Sequence, residues 1–210
     1  MRIGLLGTGN VARALATAWA AKGHDVLLGS RTPQKRSDLA LPVAGVREAA
    51  EHAEVLVNAT PGGDSVGLLQ SIGAKVLDGR VLLDVGVGLT PELGLTHLEE
   101  SLGEEIQRTF PDVAVVKTLC TMDSAVMTAP DSLTGPSTVF LSGEDEPAKR
   151  VVSHLLTDLG WSPDSQLDLG GIATARGQEH FALLFMGVAG GLGTYGFNIR
   201  VVPPRAGAAA

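Results

Sequence analysis

The chain has 210 residues, 44% hydrophobic, 19% charged and 4% aromatic, with 27 glycines and a formal net charge of -7. That size and composition fit a soluble globular α/β protein with one main domain and an appendage, and the acidic balance excludes a nucleic-acid backbone as main partner. A single cysteine, Cys120, excludes an internal disulfide and points to a reducing, cytoplasmic setting without a membrane.

The apolar start, residues 2–6, predicts a strand that leaves no room for a signal peptide. Residues 10–22 predict a helix, because Val11, Leu15, Ala18 and Trp19 recur at helical spacing and Gly23 ends it. A second strand is expected at 25–29. Thr32 before Pro33 reads as an N-cap and first helical residue, so a helix is expected there. A short helix at 47–52, a strand at 54–59, a helix at 62–72 and a strand at 80–85 follow. Residues 96–109 predict an acidic, exposed helix and 114–118 a strand, and the stretch with Pro130 and Pro136 reads as a loop. Then come a strand at 138–142, a helix at 146–159 and a short strand around Leu167.

The last element is a long apolar segment at 172–200. Its residues 181–199 carry no formal charge and are long enough to span a membrane, but Gly187, Gly190, Gly191, Gly193 and Gly196 interrupt them. A buried C-terminal helix is the favoured reading. Gly187 and Gly191 form a G-x-x-x-G that suits close packing on a second subunit, a cofactor or the chain's own sheet.

Strands alternating with helices predict a doubly wound, mostly parallel sheet. Between the first strand and the first helix lies Gly7-x-Gly9-x-x-Ala12. In that context it is a dinucleotide fingerprint: Gly7 for the tight turn, Gly9 for approach of a pyrophosphate, Ala12 for close helix–strand packing. The N–H groups near Asn10 and Val11 then face phosphate. The fold class is therefore α/β of Rossmann type, with a small helical C-terminal part. The expected division is a nucleotide-binding domain over 1–170, a helical segment over 171–202 and a disordered tail over 203–210.

The second strand ends Leu28-Gly29-Ser30-Arg31-Thr32, with no carboxylate to bond a ribose 2′-hydroxyl. The Ser30 and Thr32 hydroxyls and the Arg31 guanidinium match a 2′-phosphate, and Lys35 adds charge. NADP is therefore expected over NAD. Three further strand ends, Thr60-Pro61-Gly62-Gly63, Val85-Gly86-Val87-Gly88 and Thr118-Leu119-Cys120-Thr121-Met122, carry small residues or hydroxyls suited to a flat ring. The histidines are scattered without ligand spacing, and no metal site is expected. Cys120 reads as a small buried hydrophobe, Asp84 as part of a strand-end network and Asp123 as a loop cap. Tyr195 is the only tyrosine, so a Tyr-x-x-x-Lys pair is excluded. No catalytic residue is assigned. An NADP site without acid–base machinery suits hydride transfer between two redox rings, which chiefly need positioning.

RIGLLGTGNVARALA, GHDVLLGSRTP, VLVNATP, LLDVGVGL, VVKTLCTM and a glycine-rich last helix occur in that order. In these the chain resembles the coenzyme F420-dependent NADP oxidoreductases, and is also similar to the metalloreductase domain of a membrane ferric-reductase family. The first resemblance implies a homodimer acting on NADP and coenzyme F420. It implies phosphate contacts at Thr8, Asn10 and Val11, 2′-phosphate contacts at Ser30, Arg31 and Thr32, and nicotinamide-side contacts near Thr60, Pro61 and Val85. The deazaflavin would stack near Thr118, Leu119 and the glycines of the last helix. Lys117, Arg176 and Arg200 are candidate cations for its anionic tail. Many relatives carry Asn or Pro in place of Cys120. Reduction of another small acceptor (an imine, a ketone or a metal chelate) and non-catalytic redox sensing are the alternatives.

Overall fold

The structure is a computed structural model that describes residues 1–204. Positions 205–210 of the expected tail lie outside the described residues.

One sheet organises the chain, from β1 (Arg2–Leu6), β2 (Asp25–Ser30), β3 (Val43–Gly45), β4 (Val55–Asn58), β5 (Val81–Asp84), β6 (Ala114–Thr118), β7 (Val139–Ser142) and β8 (Gln166–Asp168). Its order is β3-β2-β1-β4-β5-β6-β7-β8, parallel throughout except where β7 meets β6. The helices are α1 (Asn10–Ala21), α2 (Val46–His52), α3 (Gly62–Ile72), α4 (Ala74–Leu77), α5 (Leu102–Thr109), α6 (Ser124–Thr128), α7 (Glu146–Asp158) and α8 (Ala175–Leu192). The expected doubly wound, mostly parallel sheet is what forms.

Period-two alternation sends each central strand into two cores. Ile3 and Leu5, Val55 and Val57, Leu83 and Val116 join α1 and α7 on one face. Leu6, Leu56, Leu82 and Val115 join α3 and α5 on the other. Strands buried on both faces read as continuous apolar runs, which is why they stand out in the sequence.

Several segments differ from the sequence reading, the unread short helices α4 and α6 among them. Thr32–Pro33 opens only a 3-10 turn, Pro33–Lys35, because the residues after it supply no apolar stripe to hold a helix on the sheet. The helix expected at 96–109 begins at Leu102. Ser101 caps it, accepting from the Glu104 N–H at 3.0 Å while Glu104 reaches back to the Ser101 N–H at 2.6 Å. That helix also buries Leu102, Gly103 and Ile106 instead of lying exposed. Strand β3 went unread, being three residues long and following Pro42. In α8 only Ala175, Gln178, Glu179 and Ala189 are buried, while Leu183, Leu184 and Leu192 are exposed, so the expected burial holds in part, mostly near the start of the helix. No helix among the described residues is long and apolar enough to cross a membrane.

The α1–α7 core is anchored by Trp19, fully buried, whose indole N–H donates to the Leu155 carbonyl at 3.0 Å. Trp19→Ala is expected to cost about 3–5 kcal/mol in urea unfolding, and Trp19→Phe far less, because most of the ring's packing survives. Equal losses in the two variants would assign the anchoring to the hydrogen bond instead.

Candidate functional site

Strand order reverses between β1 and β4, and beyond their carboxyl ends a crevice opens, as such a switch point requires. Gly7 makes the turn out of β1 at φ +115°, and a Cβ there would stand 2.7 Å from the Ala59 carbonyl oxygen. The first bond of α1 runs from the Arg13 N–H to the Gly9 carbonyl. The N–H groups of Asn10, Val11 and Ala12 therefore have no partner within the helix, and they present donors and the positive end of its dipole to the crevice.

The crevice has two lobes. The first, about 270 Å³, is lined by Gly7, Thr8 and Gly9, by Ser30, Arg31 and Thr32 at the end of β2 and beyond, and by Thr60 and Pro61 after β4. The second, about 310 Å³, shares Gly9, Thr60 and Pro61 and adds Asn10, Val11 and Val85–Val87. Their shared edge runs past the start of α1, the arrangement a dinucleotide needs: an adenosine end at β2, a nicotinamide end at β5 and a pyrophosphate between them. The free N–H groups and the Gly7 turn fit such a cofactor.

Most of the site residues named from sequence meet here; Lys35, Thr118 and Leu119 do not. Lys35 is exposed on the 3-10 turn, outside the lining. The cation that turns inward is Arg36, which sequence reading missed. Its Nη2 donates to the Thr8 carbonyl at 3.4 Å, and its Nε has no hydrogen-bond partner, although Asp38 Oδ1 lies 3.3 Å away. The Lys35-Arg36 pair was a visible signal, but the turn's geometry decides which member faces the lobe. Arg31 stands 3.7 Å from Asp64 at the mouth, an exposed pair of small worth that a phosphate could replace. Thr118 and Leu119 are buried and line neither lobe. Leu119 adopts a left-handed φ of 63°, unusual for a branched side chain, and so sets the turn after β6.

Behind the second lobe runs a buried polar chain. The Thr60 hydroxyl donates to Asn58 Oδ1 at 2.6 Å, and Asn58 Nδ2 donates to Asp84 Oδ1 at 2.8 Å. Lys117 Nζ lies 2.8 Å from Asp84 Oδ2 and 2.7 Å from Glu179 Oε1, and also donates to the Gly86 carbonyl. Glu179, on α8, accepts the N–H groups of Leu102 and Gly103 at 2.9 and 3.1 Å and so caps α5 from outside. Burial by itself would lower the Lys117 pKa; Asp84 and Glu179 more than reverse this and hold the ammonium above its ordinary range. Asp84 thus sits in the network expected of it, and Asp123 caps α6 through the Ala125 N–H at 2.9 Å.

Lys117 is a correction to the sequence reading: a fully buried ammonium cannot meet the tail of a second substrate. Arg176 is paired with Glu104 at 2.8 Å, and Arg200 is exposed beyond α8. Cys120 is partly buried beside Gln178, its thiol pushed up to about 12 by removal from water, against the pull of Lys117. It stays a neutral thiol at physiological pH.

Fold and crevice together define a Rossmann-type protein with a dinucleotide-shaped site. The family described as NADP oxidoreductase, coenzyme F420-dependent, matches residues 2–88. A solved protein of Arthrobacter sp. FB24, described as a candidate F420-dependent NADP-reductase, is 38% identical, with TM-score 0.90 over 97% of this chain and 100% of its own. The chain belongs to this family. Metalloreductase STEAP3 of Rattus norvegicus is 32% identical over 87% of the chain, and glycerol-3-phosphate dehydrogenase (NAD(P)+) 2 of Lactobacillus delbrueckii subsp. bulgaricus is 24% identical over 95%. The chain spans 36% and 63% of the lengths of those two proteins.

Lys117→Met leaves two carboxylates buried without their cation and is expected to cost about 3–5 kcal/mol in urea unfolding. Arg108→Met, which removes a surface pair with Glu100, should change stability little. Because the Lys117 pKa is raised from 10.5, its contribution is complete below about pH 10.5 and is lost only as pH climbs through the higher folded value. A loss from Lys117→Met no larger than that from Arg108→Met would show that the buried cluster adds nothing.

Proposed function

We propose that the protein transfers a hydride between the nicotinamide of NADPH and the deazaflavin ring of coenzyme F420. The observation that carries this reading is the lining of the second lobe: none of Gly9, Asn10, Val11, Ala59, Thr60, Pro61, Val85, Gly86 and Val87 is an acid or a base. Ring-to-ring hydride transfer needs position and a dry wall. Reduction of an imine or a ketone needs a proton donor for the product, and here only the Thr60 hydroxyl is available. A metal chelate as acceptor also needs no such donor, and the likeness to metalloreductase STEAP3 supports it as a second reading.

Bound NADPH supplies the hydride. The N–H groups at the start of α1 would hold its pyrophosphate. Ser30, Thr32 and the Arg31 and Arg36 guanidiniums would hold the 2′-phosphate, taking Arg31 from Asp64. Thr60, Pro61 and the Val85–Val87 loop would orient the ring, with Thr60 fixed by Asn58 and the loop by Asp84 and Lys117. This reading includes a cytoplasmic setting, a division into 1–170 and 171–202, and a homodimer joined through the apolar face of α8, for which a single species of twice the chain mass in analytical ultracentrifugation is the expected sign.

Arg31→Ala and Arg36→Ala are each expected to weaken NADPH binding by ~1–3 kcal/mol, the worth of a charge-assisted contact, and to leave NADH nearly unchanged. Equal losses for both cofactors would remove the selector role. With NADPH present the F420 absorbance should fall. If it stays constant while NADPH binds, the deazaflavin is the wrong acceptor.

A further inference from the structure

The charges behind the second lobe do not balance. Lys117 brings one ammonium; Asp84 and Glu179 bring two carboxylates, and all three side chains are buried. The groups packed around them, Asn58, Ser65, Ser142, Gln178 and the Cys120 thiol, are neutral. The nearest arginine along α8, Arg176, is committed to Glu104. Formally the cluster keeps one excess negative charge. Glu179 faces the start of α5, whose dipole offsets part of its charge. The uncompensated part therefore lies toward Asp84, which with Lys117 touches the lobe wall. Its Oδ1 accepts the Gly86 N–H at 3.0 Å, while Lys117 holds the carbonyl of the same residue. Gly86 itself lines the lobe, so one residue's backbone separates cluster from ring site.

We infer that this cluster, lying behind the wall, sets the site's preference for ring charge: it favours the cationic ring of NADP+ over the neutral ring of NADPH. The inference rests on the NADP reading above. Its consequence is directional. A site that binds NADP+ preferentially makes bound NADPH the stronger hydride donor, so the protein is poised to reduce its acceptor. The field acts through the buried Gly86 peptide, where one charge reaches further than it does in solvent. Asp84, Lys117 and Glu179 are positioning residues in this scheme, without contact with the reacting atoms.

The experiment measures the dissociation constants of NADP+, NADPH and adenosine 2′,5′-bisphosphate separately, without acceptor, for the wild type and three variants. Glu179→Gln and Asp84→Asn each remove a negative charge and should raise the ratio Kd(NADP+)/Kd(NADPH) roughly threefold to tenfold, the scale of a single partly screened charge. Lys117→Gln should move it the opposite way. Affinity for the bisphosphate, which has no nicotinamide, should hold in every folded variant and report an intact first lobe. A merely structural cluster would weaken both cofactor forms alike. An unmoved ratio with bisphosphate binding retained, or one direction of shift for all three variants, overturns the inference and leaves the NADP reading standing. Should none of the variants fold, the wild type decides: NADP+ must gain more affinity over the bisphosphate than NADPH does, and the reverse order overturns the proposal. A wild type that binds none of the three ligands overturns the NADP reading as well.

Discussion

The site depends on one buried ammonium. Lys117 emerges from the end of β6 into a space where water does not reach, and there it joins β5 through Asp84, the next loop through the Gly86 carbonyl and α8 through Glu179. Desolvating these charges costs several kcal/mol per ion, and only a fully partnered arrangement offsets it. What such an arrangement provides is discrimination: few other placements of β5, β6, α5 and α8 satisfy every member of the cluster. The strand ends are thereby held in one mutual position, and the crevice is built on strand ends.

That rigidity complements the softer recognition at the other lobe. Ser30, Arg31 and Arg36 line the first lobe, and Arg31 keeps an exposed partner that it can exchange. The nicotinamide-side loop has no such freedom. A Cβ on Gly62 would stand 2.3 Å from the Gly88 N, so the start of α3 rests directly against that loop. Thr60 is held from behind through Asn58. An adaptable grip on phosphate and a fixed bed for the ring is the division that positional catalysis calls for, since misplacing a ring matters more than misplacing a phosphate.

Features that depend on local chemistry were legible in the sequence. The Gly7 turn, the missing carboxylate after β2 and the apolar runs of the central strands each announce themselves within a few residues. Features that depend on tertiary partners were not. At Thr32–Pro33 the expected cap does not form: the Thr32 side chain makes no cap hydrogen bond, and helix stability comes mainly from a packed apolar face, which that stretch lacks. For the same reason Lys35 was favoured over Arg36. Strand β3 was hidden because an edge strand of three residues carries no period to read. Lys117 gave the deepest miss. A lysine within VVKT reads as a solvated charge until a carboxylate from the neighbouring strand and another from a distant helix are brought to it, and neither is close in sequence.

The same long-range logic accounts for the divided character of α8. Its first half carries Gln178 and Glu179, polar side chains that are buried because they complete hydrogen bonds to Ser142 and to the start of α5. Its second half carries Leu183, Leu184 and Leu192, apolar side chains left exposed. A hydropathy reading inverts the two, assigning the apolar half to the interior and the polar half to solvent. What settles the matter is satisfaction of partners. Gln178 and Glu179 have partners inside the chain for their polar atoms, whereas in the apolar half only Ala189 is buried. The helix therefore docks through Gln178 and Glu179 as well as through Ala175, and its docking closes the cluster behind the ring site.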